Sequence, residues 1–386
     1  MSPLRVPSGR LARLGVAAYG VIFAALGAAA ACTSYADDGA SRYIQEQLRA
    51  RHTPGAAVAV VQGGKVLEEV LYGSASLQLG VPVHRHTQFQ LASVTKTFTG
   101  LALLLLEQQG ILSLADPVGN YLTGLPAAWK DVSLRELVGH TSGLPDVIES
   151  PDRPLSSAEL GRTEDEALQF AESQPIRAAP GEQYEYNQTN YVLLKQVIEH
   201  VTRTSLHQFL VSHLVPRTSG WAWGDCRTIV PLRTEMYRLR HDNYTENAGQ
   251  LYTYPRYLEA AAGLNASISD MEAFGAALTS GKLLSGSELH RLEEPIRTRD
   301  GHRVDMGQDS HFEGLLAPSI GFDFADNSDG RFPRVFMAGG SAVVVMFFPR
   351  QSLFVAVLTN LQTTEDPIEI AEGVARFYIG SLVPMF

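Results

Sequence analysis

β-Branched apolar runs occur only near the two ends of this 386-residue chain, and that separation limits the folds open to it. Near the start, Ala56-Ala57-Val58-Ala59-Val60-Val61 is followed by Gly63-Gly64 and a second run over Lys65 to Tyr72. Two extended runs around a Gly-Gly turn predict a β-hairpin. Near the end, Arg334 to Ala338, Ala342 to Phe348 and Leu353 to Leu358 predict three more strands, the last after a turn at Pro349-Arg350-Gln351. Between the ends the pattern is helical: Ser93 to about Gln109, Val132 to Leu137, Ser156 to Ser173, Val192 to Thr202 and Asp270 to Ser280. Trp221 to Tyr257 shows no clear period and reads as a long irregular excursion of the kind that walls a pocket. A lone hairpin is marginal in water. The simplest packing therefore joins both chain ends in one antiparallel sheet, with a mostly helical domain inserted between them. The terminal helices, Ala40 to Arg51 and Ile368 to Ile379, then cover the sheet. The expected class is α+β, with a sheet part of about 40–88 and 318–386 and a helical part of about 89–317.

Apolar residues make up 45% of the chain and charged residues 19%, which suits a packed globular domain over residues 37–386. A net charge of −10 without a dense Lys/Arg stripe argues against a nucleic-acid partner. Residues 1–36 stand apart. Arg5, Arg10 and Arg13 precede an uncharged run from Leu14 to Ala31, and Ser34-Tyr35-Ala36 offers small residues at a cleavage site. This reads as a removable export signal, which makes the protein periplasmic or secreted. Two alternatives stay open: an uncleaved membrane anchor, and lipidation of Cys32 in Ala29-Ala30-Ala31-Cys32. Only Cys32 and Cys226 exist, so loss of the signal leaves no disulfide.

The chemistry centres on Leu91-Ala92-Ser93-Val94-Thr95-Lys96. A serine and a lysine three residues apart share one face of a helix. A serine hydroxyl needs a base within hydrogen-bond reach to act as a nucleophile, and lysine is that base only when burial or a second cation lowers its pKa. Chance also produces S-x-x-K, so the surrounding segments matter. His140, in Gly139-His140-Thr141-Ser142-Gly143-Leu144-Pro145, reads either as a general base or as a loop histidine that ties down backbone. His84-Arg85-His86 reads as a metal pair or as a polar loop. Cys226 reads as a small buried side chain.

Several landmarks occur in order. They are Pro54-Gly55 with the strand after it, Phe89 to Thr99, Leu112 to Leu122, His140 to Pro145, and Pro180-Gly181 with Tyr184 and Tyr186. In these the chain resembles class C serine β-lactamases and their relatives, including D-alanyl-D-alanine carboxypeptidases and family VIII esterases. The resemblance covers nearly all of residues 37–386. It implies Ser93 as the acylated nucleophile, Lys96 as the group that helps deprotonate it, and Tyr186 as the catalytic tyrosine whose pKa a neighbouring lysine lowers. It also implies an oxyanion hole from the backbone N–H groups of Ser93 and Gly340. Gln188, Met337 and Gly339 fall at substrate-binding positions. Two departures stand out. Tyr186-Asn187-Gln188 carries glutamine where the family has asparagine, and Met337-Ala338-Gly339 replaces Lys-Thr-Gly, losing a cation and a hydroxyl. Those two groups anchor a substrate carboxylate in penicillin-hydrolysing enzymes, so their loss argues for ester or peptide-like substrates. The expectation is an exported serine hydrolase acting through an acyl-enzyme on a small-molecule or peptide ester or amide, without cofactor or metal. The alternative is a catalytically impaired homologue that binds a cell-wall peptide or a protein.

Overall fold

The computed structural model describes residues 38–150, 155–214, 220–225, 228–240, 243–246, 254–306, 314–327, 333–340, 342–362 and 367–379. All lie in the second of two units into which the chain divides, Asp37–Phe386. The expected signal with Cys32, together with Cys226 and Ser341, falls outside the described residues.

Eight strands form one sheet. In chain order they are β1 (Gly55–Gln62), β2 (Lys65–Ser76), β3 (Val81–Pro82), β4 (Gly314–Pro318), β5 (Asp323–Asn327), β6 (Arg334–Gly339), β7 (Val343–Phe348) and β8 (Leu353–Thr359). Their spatial order is β3-β2-β1-β8-β7-β6-β5-β4, and every neighbouring pair is antiparallel. The two chain ends meet where β1 pairs with β8, with Val58 opposite Val357. Buried on both faces, β1 needs a continuous apolar run and cannot alternate. Its Ala57, Ala59 and Val61 face a core shared with the helical region. Its Ala56, Val58 and Val60 face a second core. The helices α1 (Asp38–Ala50) and α5 (Ile368–Ile379) close that second core with Ile44, Leu48, Ile370 and Val374. Each such side chain, fully buried, contributes about 1.5–3 kcal/mol.

On the other side lie three long helices that share one core: α2 (Thr95–Gln108), α3 (Thr189–Thr202) and α4 (Ile268–Thr279), of which α4 packs directly on β1 and β8. Every residue of α2 from Thr95 to Leu106 is buried, as its all-round apolar run requires. Its alternating threonines serve the fold. Thr95 Oγ1 accepts the Leu264 N–H at 3.1 Å, Thr97 Oγ1 donates to the Gly321 carbonyl at 3.1 Å, and Thr99 Oγ1 donates to the Ala260 carbonyl at 2.9 Å. Close backbone contact needs glycine at one place here. A Cβ on Gly100 would sit 2.7 Å from the Gly321 Cα, so α2 meets the turn between β4 and β5 backbone to backbone.

Several local expectations need correction. The nucleophile segment does not open as α-helix: Ala92–Val94 is a 3₁₀ turn, and α2 begins at Thr95. The stretch from Ser156 to Ser173 is two helices, because Thr163 starts a new one with a capping box to Glu166. Strands β4 and β5 lie ahead of the three expected near the C-terminus. Pro318 in β4, and Asp323, Asp326 and Asn327 in β5, mask their strand pattern. The irregular excursion contains short strands. Ala222–Trp223 pairs with Leu264–Ala266, and Tyr237–Arg240 forms a hairpin with Asn243–Glu246 while running parallel to Leu361–Gln362.

Candidate active site

The site is assembled where the 3₁₀ turn, the loop from His140 to Asp146, the start of α3 and the end of β6 converge. Ala92 holds a left-handed φ of +46°. A non-glycine residue there stores about 1–3 kcal/mol of strain, and alanine has the smallest side chain that still carries a Cβ. This reversal carries the chain from the short strand Phe89–Gln90 into the turn that bears Ser93. On the far side, a Cβ at Gly339 would lie 2.1 Å from the Leu91 carbonyl oxygen. Only glycine lets β6 run against the backbone of this turn, and Gly340 follows with φ +56°. The end of β6, which carries the second expected oxyanion donor, therefore lies against the Ser93 turn.

The loop after the short helix Leu134–Val138 is fastened to the segment before α3. Gly181 and Glu185 donate their N–H groups to the carbonyls of Thr141 (2.7 Å) and His140 (2.8 Å). The Asn187 side chain donates to the Leu144 carbonyl at 2.5 Å, and Thr189 Oγ1 to that of Pro145 at 2.8 Å. Asp146 accepts the N–H groups of Gln188 and Ile148, both at 3.2 Å. Ser142 Oγ donates to Asn190 Oδ1 at 2.6 Å. This ladder fixes Tyr186 from both sides.

Its hydroxyl reaches Ser93 Oγ at 2.9 Å, and Lys96 Nζ lies 3.4 Å from the same oxygen. The three residues that the resemblance grouped therefore meet at one atom. Lys96 is fully buried, donates to the Ala261 carbonyl at 3.1 Å, and lies over the rings of Tyr186 (4.7 Å to the centroid) and Tyr191 (5.2 Å). Burial pushes its pKa down to about 7, against the opposing pull of Asp146 and Asp323. About half of the lysine is then neutral amine near pH 7. The phenol behaves differently from expectation. Burial raises the Tyr186 pKa, and the hydrogen bonds to Ser93 and Gln188 only partly offset this. Tyr186 is 37% exposed as a whole residue, but its hydroxyl is the part turned toward Ser93. A lysine that is itself half neutral lowers a neighbouring phenol little, so in the resting site Tyr186 is the protonated donor to Ser93.

The remaining expected residues are distributed as follows. Gln188 gives its backbone N–H to Asp146, and its side chain acts on Tyr186 to lower the phenol's pKa. Met337, 4% exposed, packs into the helix-side core next to Val335. A thioether without charge joins the core, so Met337 offers no open substrate contact here. His140 accepts the Asn187 N–H at Nδ1 (3.1 Å), which matches its reading as a loop tie. His86 Nδ1 contacts Ser269 Oγ at 3.1 Å, and His84 Nδ1 accepts the His86 N–H at 3.2 Å, the geometry of a polar loop.

Sequence reasoning passed over Asp146 and Asp323. Burial raises the Asp146 carboxyl to about 6, and its field acts on Lys96. The sign was legible, since Asp146 directly follows the Leu144-Pro145 end of the quoted loop. Asp323 sits on β5, a strand the pattern did not reveal. Ala261, whose carbonyl holds Lys96, carries no side-chain signal at all.

Comparison with known proteins agrees with this architecture. The family model named Beta-lactamase matches residues 40–377. Penicillin-binding protein 4* of Bacillus subtilis (strain 168) is 28% identical over 274 residues, covering 68% of this chain and 60% of that protein. Protein flp of Staphylococcus aureus (strain MW2) is 32% identical over 174 residues, covering 44% of this chain and 34% of that protein. The matched stretches thus span between a third and three fifths of these curated relatives. The structure of EstCE1, a hydrolase with promiscuous acyltransferase activity, superposes with a TM-score of 0.69 at 20% identity, covering 87% of this chain and 98% of that one. The chain belongs to the β-lactamase family of serine hydrolases.

Proposed function

We propose that this protein is an exported serine hydrolase that cleaves a neutral ester or amide through an acyl-enzyme on Ser93. The observation that carries this reading is the placement of Ser93 Oγ between Lys96 Nζ and Tyr186 Oη, with Lys96 held near neutrality by burial. Neutral Lys96 takes the hydroxyl proton as Ser93 Oγ bonds to the substrate carbonyl carbon. The backbone N–H groups of Ser93 and Gly340 receive the oxyanion. The tetrahedral intermediate collapses as the leaving group departs with a proton from protonated Lys96, relayed by the Tyr186 hydroxyl. Water then attacks the acyl carbonyl, Lys96 takes its proton, and Ser93 leaves with that proton restored.

The substrate class follows from β6. Met337, Ala338 and Gly339 carry no cation and no hydroxyl, so that strand offers nothing to hold a substrate carboxylate. This supports ester or amide substrates over β-lactams. EstCE1 illustrates a hydrolase of this fold that also transfers acyl groups. An acyl-enzyme on Ser93 would partition between water and other nucleophiles in the same way. Turnover of p-nitrophenyl acyl esters, D-amino acid amides and a chromogenic cephalosporin by the mature chain tests the reading. Ester or amide cleavage that disappears in Ser93→Ala supports it, and cephalosporin cleavage alone would contradict the substrate class. The second reading, a ligand-binding homologue without turnover, is motivated by the same Met337. It requires Ser93→Ala to keep its ligand and its biological effect. Export is tested by N-terminal sequencing of material outside the cytoplasm, with cleavage after Ala36 expected.

A further inference from the structure

His140 is buried, 3% exposed, and its backbone holds a left-handed φ of +56°. Its ring lies against Tyr186 with 4.4 Å between centroids and 32° between planes. Tyr191 (5.3 Å, 35°) and Tyr184 (6.0 Å, 78°) pack around the same imidazole. Nδ1 accepts the N–H of Asn187, the residue after Tyr186. A nitrogen that accepts must be unprotonated, so the neutral ring carries its proton on Nε2. That Nε2 is buried and has no hydrogen-bond partner among the described residues.

A histidine serving only to tie down the Asn187 N–H would be a poor choice of residue. Asparagine places an oxygen where Nδ1 sits and tolerates a positive φ, so the hydrogen bond to Asn187 does not by itself call for a ring. An unsatisfied buried donor is costly. What imidazole adds, and asparagine cannot, is a flat face for the phenol ring of Tyr186. We propose that His140 is a positioning residue. Its ring and its Nδ1 together fix the Tyr186 phenol in the orientation that points its hydroxyl at Ser93 Oγ. It acts through Tyr186 and makes no hydrogen bond to Ser93, and its consequence in turnover rests on the hydrolase reading.

Two groups of measurements decide it. The first does not depend on activity. In protein labelled with ¹³Cζ-tyrosine, the Tyr186 resonance, assigned by its loss in Tyr186→Phe, should move in His140→Asn. Nitrogen-15 shifts should show Nδ1 of His140 unprotonated and Nε2 protonated in the native chain. An unmoved Tyr186 resonance, or a proton on Nδ1, overturns the proposal even if the protein never turns over a substrate. The second group uses the reaction. His140→Asn keeps the acceptor for the Asn187 N–H and the left-handed backbone, so it should fold. It should lower kcat for the best ester about tenfold with KM nearly unchanged, because a misaimed phenol affects the transition state and not the bound substrate. An unchanged kcat in a folded His140→Asn refutes a positioning role. Failure of the native protein to acylate would refute the hydrolase reading instead, leaving the two resonance measurements to judge His140.

Discussion

The pH dependence of Ser93 acylation follows directly from the burial of Lys96. Its ordinary pKa of 10.5 falls to about 7 because the fully buried ammonium is poorly solvated. That drop is worth about 5 kcal/mol between the charged and neutral amine. An unshifted lysine would be neutral in only about one molecule in three thousand at pH 7, whereas the buried one is neutral in about half. The second-order rate of Ser93 labelling by a fluorophosphonate should therefore fall tenfold per pH step well below about pH 7 and flatten above it. Intact-mass spectrometry at timed intervals measures this rate. Replacing Lys96 by cysteine and alkylating it with 2-bromoethylamine restores an amine of lower intrinsic basicity, and the inflection should shift to lower pH. A rate that keeps rising through about pH 9, as an unshifted lysine would dictate, refutes the reasoning. So does an inflection that the sulfur analogue leaves in place.

Other outcomes follow from the same contacts. Lys96→Met removes a buried charge and fills its space, so at pH 7 the variant should melt higher than the native chain while losing Ser93 labelling. Because the folded pKa lies below the unfolded one, the unfolded chain holds more protons between about 7 and 10.5, and native stability should rise with pH across that window. Melting curves of Lys96→Met should lack this rise. Tyr186→Phe deletes the 2.9 Å bond to Ser93 and should slow labelling about 10²-fold with little change in melting temperature. Gly339→Ala forces a Cβ to within 2.1 Å of the Leu91 carbonyl, a backbone atom that cannot rotate away. It should destabilise by about 1–3 kcal/mol in denaturant titration and depress labelling in the folded fraction.

Long-range pattern made most of this protein legible. The alanine–valine run of β1 had to be buried on both faces, and it lies between its hairpin partner β2 and the distant strand β8 at Leu353. Ser93, Lys96 and Tyr186 were legible through motif spacing and resemblance. What stayed hidden depends on geometry that letters do not encode. The reversal at Ala92 looks like any alanine. The carbonyl of Ala261 has no side-chain signature. Strand β5, carrying Asp323, reads as polar turn because its mixed residues sit near the edge of the sheet. The direction of the Tyr186 shift was also beyond the sequence, since it depends on whether burial or the neighbouring amine dominates. Met337 could be seen as a loss of charge, but its retreat into the core required the packing of β6 against Leu91.

The most direct test of the central claim is to mix the folded protein with a slowly hydrolysed ester, quench with acid and sequence the modified peptide. The account predicts an acyl mass on Ser93 that appears before product and decays with turnover, and that is absent in Ser93→Ala. Turnover without acyl mass on Ser93, or an acyl group on another residue, would contradict it.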